Sequence, residues 1–168
     1  IAVRDGQSRI NPAQGLPPLD ELAPPARHLL DGDAYFNPLT ACKVTSAIMA
    51  RGCPYQCSFC CGATETSKLS MRYRQVDRIL EELRVIRDVH GVGYVEFVDE
   101  TFTIKRSLVV DVCEGMKGMG LAWGCQTRAD RVDAELLQLM ASAGCEKVAY
   151  GIDAGTEAIR VDVAGKAL

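Results

Sequence analysis

Three cysteines fall within eight residues of this 168-residue chain, in Arg51-Gly52-Cys53-Pro54-Tyr55-Gln56-Cys57-Ser58-Phe59-Cys60, directly after the apolar run Ala47-Ile48-Met49-Ala50. The pattern predicts a metal site at the end of a buried strand. Thiolates are soft ligands that select zinc, copper(I) or iron-sulfur clusters, and one loop carrying three of them can fold around a cluster face. Three ligands on a four-iron cluster leave one iron without a protein thiolate, and an open coordination position is where a metal site does chemistry. An open iron can chelate the amino and carboxylate groups of an amino acid. Two other readings stand beside this one. The trio could form a structural zinc knuckle, or a ferredoxin-type electron-transfer cluster completed by a fourth cysteine, for which Cys61 is the nearest candidate.

With 48% apolar residues the chain can bury a sizeable core. A net charge of -3 and a pI near 5.4 give no general electrostatic reason to expect nucleic acid or an anionic membrane as partner. No apolar run approaches the roughly 18 residues of a membrane span, and no signal peptide is seen. The chain starts at Ile1 rather than Met, which suggests a piece of something longer. The remaining cysteines, Cys42, Cys113, Cys125 and Cys145, are scattered through helical and strand-like segments. Together with a ligand-spaced trio this favours a reducing cytoplasm over a disulfide framework.

Residues 1–41 hold Pro12, Pro17, Pro18, Pro24, Pro25 and Pro38 with Gly6, Gly15 and Gly32, and are expected to form an extended connector or surface-packed linker. Past the cysteines the chain alternates. Val76, Ile79, Leu80, Leu83, Ile86 and Val89 recur at helical spacing and stop at Gly91. The strand Gly93 to Asp99 comes next, then a helix from Ile104 to Met116, the strand Leu121 to Gln126, and a helix capped by Asp133 that ends at Gly144. Lys147 to Ile152 is a further strand, and a last helix begins near Gly155. Alternation with short connections predicts an α/β fold with a parallel sheet, whose ligands sit at the carboxyl ends of the strands.

The spacing Cys-x3-Cys-x2-Cys, with Phe59 just before the last cysteine, closely resembles the signature of the radical S-adenosylmethionine (radical SAM) enzymes. The residues past three strand ends resemble that family too. Phe97-Val98-Asp99-Glu100-Thr101-Phe102 is similar to the carboxylate-bearing segment of the cobalamin-linked radical SAM group, and Gln126-Thr127-Arg128-Ala129-Asp130 to the segment whose arginine pairs with the SAM carboxylate. Tyr150-Gly151-Ile152-Asp153-Ala154-Gly155-Thr156 resembles the turn lining the SAM pocket, with Asp153 and Ala154 where glutamate and serine are commoner. The resemblance implies a [4Fe-4S] cluster on Cys53, Cys57 and Cys60. It further implies SAM contacts from Asp99, Glu100, Gln126 and Arg128, with Phe59, Gly151 and Asp153 on the adenosine side. It implies reductive cleavage of SAM to a 5'-deoxyadenosyl radical that attacks a C–H bond of a small-molecule substrate, with methyl transfer, cyclisation or a related outcome. A reductant such as flavodoxin or ferredoxin would supply the electron. The fold it implies is a partial parallel (β/α) barrel with about four of six units present. Residues 42–168 would then be a C-terminally incomplete radical SAM domain, open to self-association through an exposed sheet edge. Leu16-Pro17-Pro18-Leu19-Asp20 and Pro24 to Leu30 look like the segment joining a cobalamin-binding domain to that barrel, so the full-length protein would also use cobalamin.

Other residues receive structural readings. Cys61 is a bystander, and Cys113, Cys125 and Cys145 are small core residues. Trp123 packs under a helix, and His28 and His90 carry no chemistry.

Overall fold

The computed structural model describes residues 15–38, 41–60 and 71–166, together with the backbone of the two-stranded hairpin β1 (Ala2–Arg4) and β2 (Gln7–Arg9). The later elements, in chain order, are β3 (Phe36–Asn37), β4 (Cys42–Ala47), β5 (Ala50–Arg51), β6 (Arg72–Tyr73), α1 (Val76–Asp88), β7 (Tyr94–Phe97), α2 (Arg106–Met116), β8 (Ala122–Thr127), α3 (Ala134–Ser142) and β9 (Cys145–Tyr150). The main sheet has the order β3-β4-β7-β8-β9. Its last four strands are parallel, and β3 pairs antiparallel with the start of β4. Each of β4, β7 and β8 is thus followed by a helix and then by its parallel sheet neighbour, the arrangement the alternation predicts.

The helices form where apolar residues share one face. Ile79, Leu80, Leu83 and Ile86 of α1 are buried, as are Leu108, Val109, Val112 and Met116 of α2 and Leu136 and Met140 of α3. They pack with Val95, Phe97, Trp123 and Cys125 in one core. Phe97, Phe102 and Trp123 meet there with ring centroids 5.1 to 5.5 Å apart, and the Trp123 indole donates to the Ala143 carbonyl at 2.9 Å. Alternate strand residues, Tyr94, Glu96, Gly124, Gln126 and Lys147, project to the opposite face. Asp133 caps α3 by accepting from Leu136 N at 2.8 Å. Gly144 reverses the chain beyond α3 at φ +94, where a Cβ would stand 2.6 Å from the Leu121 carbonyl oxygen. Val89 is 72% exposed just past α1 rather than on its apolar face.

Three boundaries differ from the sequence expectation. The first buried strand is Cys42–Ala47, and Ile48-Met49 is the turn after it, leading into β5 at Ala50. The strand expected at Lys147 to Ile152 is Cys145–Tyr150, with Ile152 half exposed beyond it. The expected last helix is a single π-helical turn, Ile159–Val163.

The described part of the proline-rich segment is docked rather than extended. Three 3-10 turns, Leu19–Glu21, Arg27–Leu29 and Gly32–Ala34, carry it along the domain. Glu82 of α1 joins Arg27 at 2.7 Å and Arg74 at 2.5 Å. Arg74 reaches Asp20 at 3.6 Å, and Asp20 accepts from Gln75 N at 2.8 Å. The Arg27, Glu82, Arg74 and Asp20 side chains are all largely buried. Removing one partner of such a network leaves uncompensated charge behind. Glu82→Ala is therefore expected to destabilise the chain by about 3 kcal/mol in urea unfolding, with faster proteolysis between residues 19 and 30; unchanged stability would show that the network does not fasten the segment.

Candidate functional site

The chain leaves β4 at Ala47 and must turn before the first cysteine. The turn buries Met49 and Ala50, whose backbone N–H groups need acceptors in a place that water does not reach. Asp99, just past β7 and 2% exposed, supplies them. Met49 N donates to both carboxylate oxygens at 3.1 Å, and Ala50 N donates to Oδ1 at 2.6 Å. Arg74 closes the same turn from the other side, with its N–H on the Met49 carbonyl at 2.9 Å and its guanidinium on the Ile48 carbonyl at 3.1 Å. Gly52, at φ +99, then turns the chain into Cys53, a conformation that favours glycine.

Contacts at Tyr55 and Ser58 spread the cysteine loop over the strand ends. The Tyr55 ring lies under the Arg128 guanidinium at 3.9 Å and near that of Arg131 at 5.5 Å, and Arg131 donates to the Tyr55 hydroxyl. Arg128, buried at the end of β8, is held in a two-point ion pair with Asp130 at 2.8 and 2.9 Å. That pair keeps the Asp130 carboxyl below the usual range. At the far end of the loop, Ser58 N donates to the Ala164 carbonyl at 3.1 Å and Ser58 Oγ to the Val163 carbonyl at 2.7 Å. Cys60 N donates to the Cys57 carbonyl at 3.0 Å, closing a turn.

Cys53 and Cys57 are half-buried, Cys60 is exposed, and none of the described cysteines is in a disulfide. The Cys53 Sγ stands 3.7 Å from the Thr101 hydroxyl oxygen. Among the described residues no three His, Cys, Asp or Glu side chains are drawn together round a single ion. Three soft thiolates carried on one loop are a donor set that iron-sulfur clusters take. The donor set therefore fits a cluster. Cys61 lies outside the described residues.

The other expected site residues sit at the same end of the sheet. Phe59 is 58% exposed beside the cysteines. Glu100 and Gln126 are exposed, and the Gln126 amide donates to the Asp99 carbonyl at 3.3 Å. Gly151 and Asp153 lie past β9. Asp153 has φ +66 and pairs with the buried Lys166, which also donates to the Gly151 carbonyl at 2.5 Å. Sequence reasoning missed Tyr55, Thr101, Ser58 and Lys166. The one available signal was the pair of arginines three residues apart, Arg128 and Arg131, which the 3-10 turn Ala129–Arg131 brings to one side.

The radical SAM superfamily profile matches residues 47–167. The chain belongs to the radical SAM superfamily. Members of this family use a [4Fe-4S] cluster and SAM. The chain is 29% identical over 143 residues to an uncharacterized methyltransferase of Pyrococcus horikoshii, covering 84% of this chain and 30% of the relative. It is 30% identical over 171 residues to the anaerobic magnesium-protoporphyrin IX monomethyl ester cyclase of Rubrivivax gelatinosus, covering 98% and 30%. It thus spans less than a third of the length of these curated relatives. The radical SAM methyltransferase TsrM of Kitasatospora setae, solved with cobalamin and a [4Fe-4S] cluster, superposes with a TM-score of 0.64 at 18% identity, over 71% of this chain and 24% of that one. That likeness supports the partial barrel fold. No helix among the described residues is long and apolar enough to cross a membrane.

Asp99 gives this radical SAM domain a pH signature. Burial pushes its carboxyl up to about 6 from 3.8, the Met49 and Ala50 amides offset part of that rise, and Glu100 adds to it. Between those two values the folded chain keeps a proton that the unfolded chain has released, so Asp99 costs stability as pH rises from about 4 to about 6. Asp99→Asn removes the titration. The stability of the native chain relative to the variant is expected to fall by on the order of 2 to 3 kcal/mol between pH 4 and pH 7, as read from urea unfolding at stepped pH. A parallel profile for the two would contradict the buried carboxylate.

Proposed function

We propose that this chain is the cofactor-binding part of a larger radical SAM enzyme, in which Cys53, Cys57 and Cys60 ligate a [4Fe-4S] cluster and leave one iron for SAM. The observation that carries this reading is the gathering of the cysteine loop, Asp99, Gln126 and Arg128 at the carboxyl ends of β4, β7 and β8. When bound, the cluster and SAM supply a 5'-deoxyadenosyl radical that abstracts hydrogen from an unreactive carbon of a small-molecule substrate, leading to methyl transfer or cyclisation.

The residues of the chain bind and orient. To take the SAM carboxylate, for which its planar fork is suited, Arg128 would exchange the two-point pair it now makes with Asp130, while its stacking on Tyr55 ties it to the cysteine loop. Asp99 already serves two backbone amides, so the exposed Glu100 is the better acceptor for the SAM ammonium and Asp99 acts as a positioning residue. Gln126 supports Asp99, while Phe59, Gly151 and Asp153 border the adenosine side. The likeness to a cyclase and a methyltransferase supports one of those two outcomes, and the likeness to TsrM, solved with cobalamin, supports a cobalamin in the full-length protein. We assign residues 1–41 to the connector and 42–168 to the radical SAM domain. The enzyme works in the cytoplasm with flavodoxin or ferredoxin as electron donor, and the outer edge of β9 is the surface for self-association.

Anaerobic reconstitution with iron and sulfide tests the ligand set. Serine at Cys53, Cys57 or Cys60 is expected to abolish stoichiometric cluster uptake. Cys61→Ser is expected to leave it intact, whereas an electron-transfer module with four cysteine ligands would lose its cluster. Arg128→Lys is expected to weaken SAM binding about tenfold to a hundredfold, the range of one charge-assisted hydrogen-bond pair, measured by equilibrium dialysis. Full SAM affinity in that variant would remove Arg128 from the site.

A further inference from the structure

The turn after β7 reaches the cysteine loop at two points, and the proposed ligand set uses neither. Asp99 fixes the Met49 and Ala50 amides. Two residues on, the Thr101 hydroxyl stands 3.7 Å from the Cys53 sulfur and also donates to the Glu100 carbonyl at 2.9 Å. Thr101 is 5% exposed, so bulk water is a poor competitor for that hydroxyl. Its oxygen carries one proton and two acceptors lie within reach. With Cys53 as a thiol, the S–H can donate to the hydroxyl oxygen while the hydroxyl proton stays on Glu100. A thiolate that ligates iron has no proton to give and only accepts. The hydroxyl proton then has a charged acceptor in place of a neutral one, and charged acceptors make the stronger bond.

We propose that Thr101 is a positioning residue whose hydroxyl hydrogen-bonds the Cys53 thiolate and raises the reduction potential of the cluster. The assignment rests on the reading that Cys53 is a cluster ligand. The sign comes from charge. A reduced cluster puts more negative charge on its ligand sulfurs, so a donor aimed at one of them stabilises the reduced state more than the oxidised one. The bond gains consistency from its frame: the Asp99 contacts hold the chain three residues before Cys53 against the same turn that carries Thr101.

The test is an EPR-monitored redox titration of the reconstituted 168-residue chain, without SAM or substrate, for wild type, Thr101→Val, Thr101→Ala and Thr101→Ser. Valine and alanine remove the donor at similar and at smaller volume, and serine keeps it. The expected result is a lower midpoint potential in both Thr101→Val and Thr101→Ala. At a fixed poise the reduced-to-oxidised ratio should fall about threefold to tenfold, tenfold being about 59 mV for a one-electron couple. Thr101→Ser should return close to wild type. A lower potential in all three variants would indicate a packing effect and overturn the proposal, as would an unchanged or higher potential in valine and alanine variants that carry full iron. If the wild-type chain takes up no cluster, the ligand reading itself fails and this inference falls with it.

Discussion

The buried carboxylate of Asp99 is the contact on which the arrangement of the site depends. A parallel strand that ends inside a fold leaves backbone amides without ladder partners, and Met49 and Ala50 are two such groups, both buried. One carboxylate satisfies both. Its burial holds its own carboxyl near pH 6, which is an energetic cost accepted in one place so that the turn ahead of the cysteines has one conformation. Without that acceptor the turn would have to open to water, and the cysteine loop would lose its fixed start.

The rest of the loop is secured by groups from other strand ends. Tyr55 is pinned by Arg128 and Arg131 past β8, and Ser58 is pinned by the carbonyls of Val163 and Ala164. That last segment is in turn fixed by Lys166, buried against Asp153 and Gly151 past β9. The loop is therefore tied, directly or through Lys166, to the segments just past β7, β8 and β9. A parallel sheet with helices on one face offers such convergence because all its strands deliver their loops to the same end.

Much of this was legible in the sequence, and the failures are instructive. Helical periodicity placed α1, α2 and α3 to within a few residues, because Ile79, Leu83, Val109, Val112 and Met140 face one core. Asp133 and Gly144 ended the third helix as their chemistry requires. The first strand was misplaced because Cys42-Lys43-Val44-Thr45-Ser46-Ala47 lies toward the sheet edge and is only half-buried, whereas the more apolar Ile48-Met49 is a turn that buries Met49 and leads into the short β5 at Ala50. Apolarity there reported burial, not strand. The family motifs found the right strand ends but not the side-chain partners. Sequence places Asp99 and Asp153 past their strands; it does not say that amides 49 residues or more upstream take the first or that Lys166 takes the second. Likewise proline content suggested an extended connector, while the pairing of Asp20 and Arg27 with Arg74 and Glu82 depends on contacts more than 50 residues apart.

The most direct test of the account is EPR spectroscopy of the anaerobically reconstituted, dithionite-reduced chain, recorded with and without SAM. Three thiolates on a four-iron cluster predict a signal whose g values shift when SAM is added, because SAM chelates the iron that carries no cysteine. A cluster signal indifferent to SAM added in large excess would contradict the open iron, and a chain that binds stoichiometric zinc and no cluster would contradict the site as a whole.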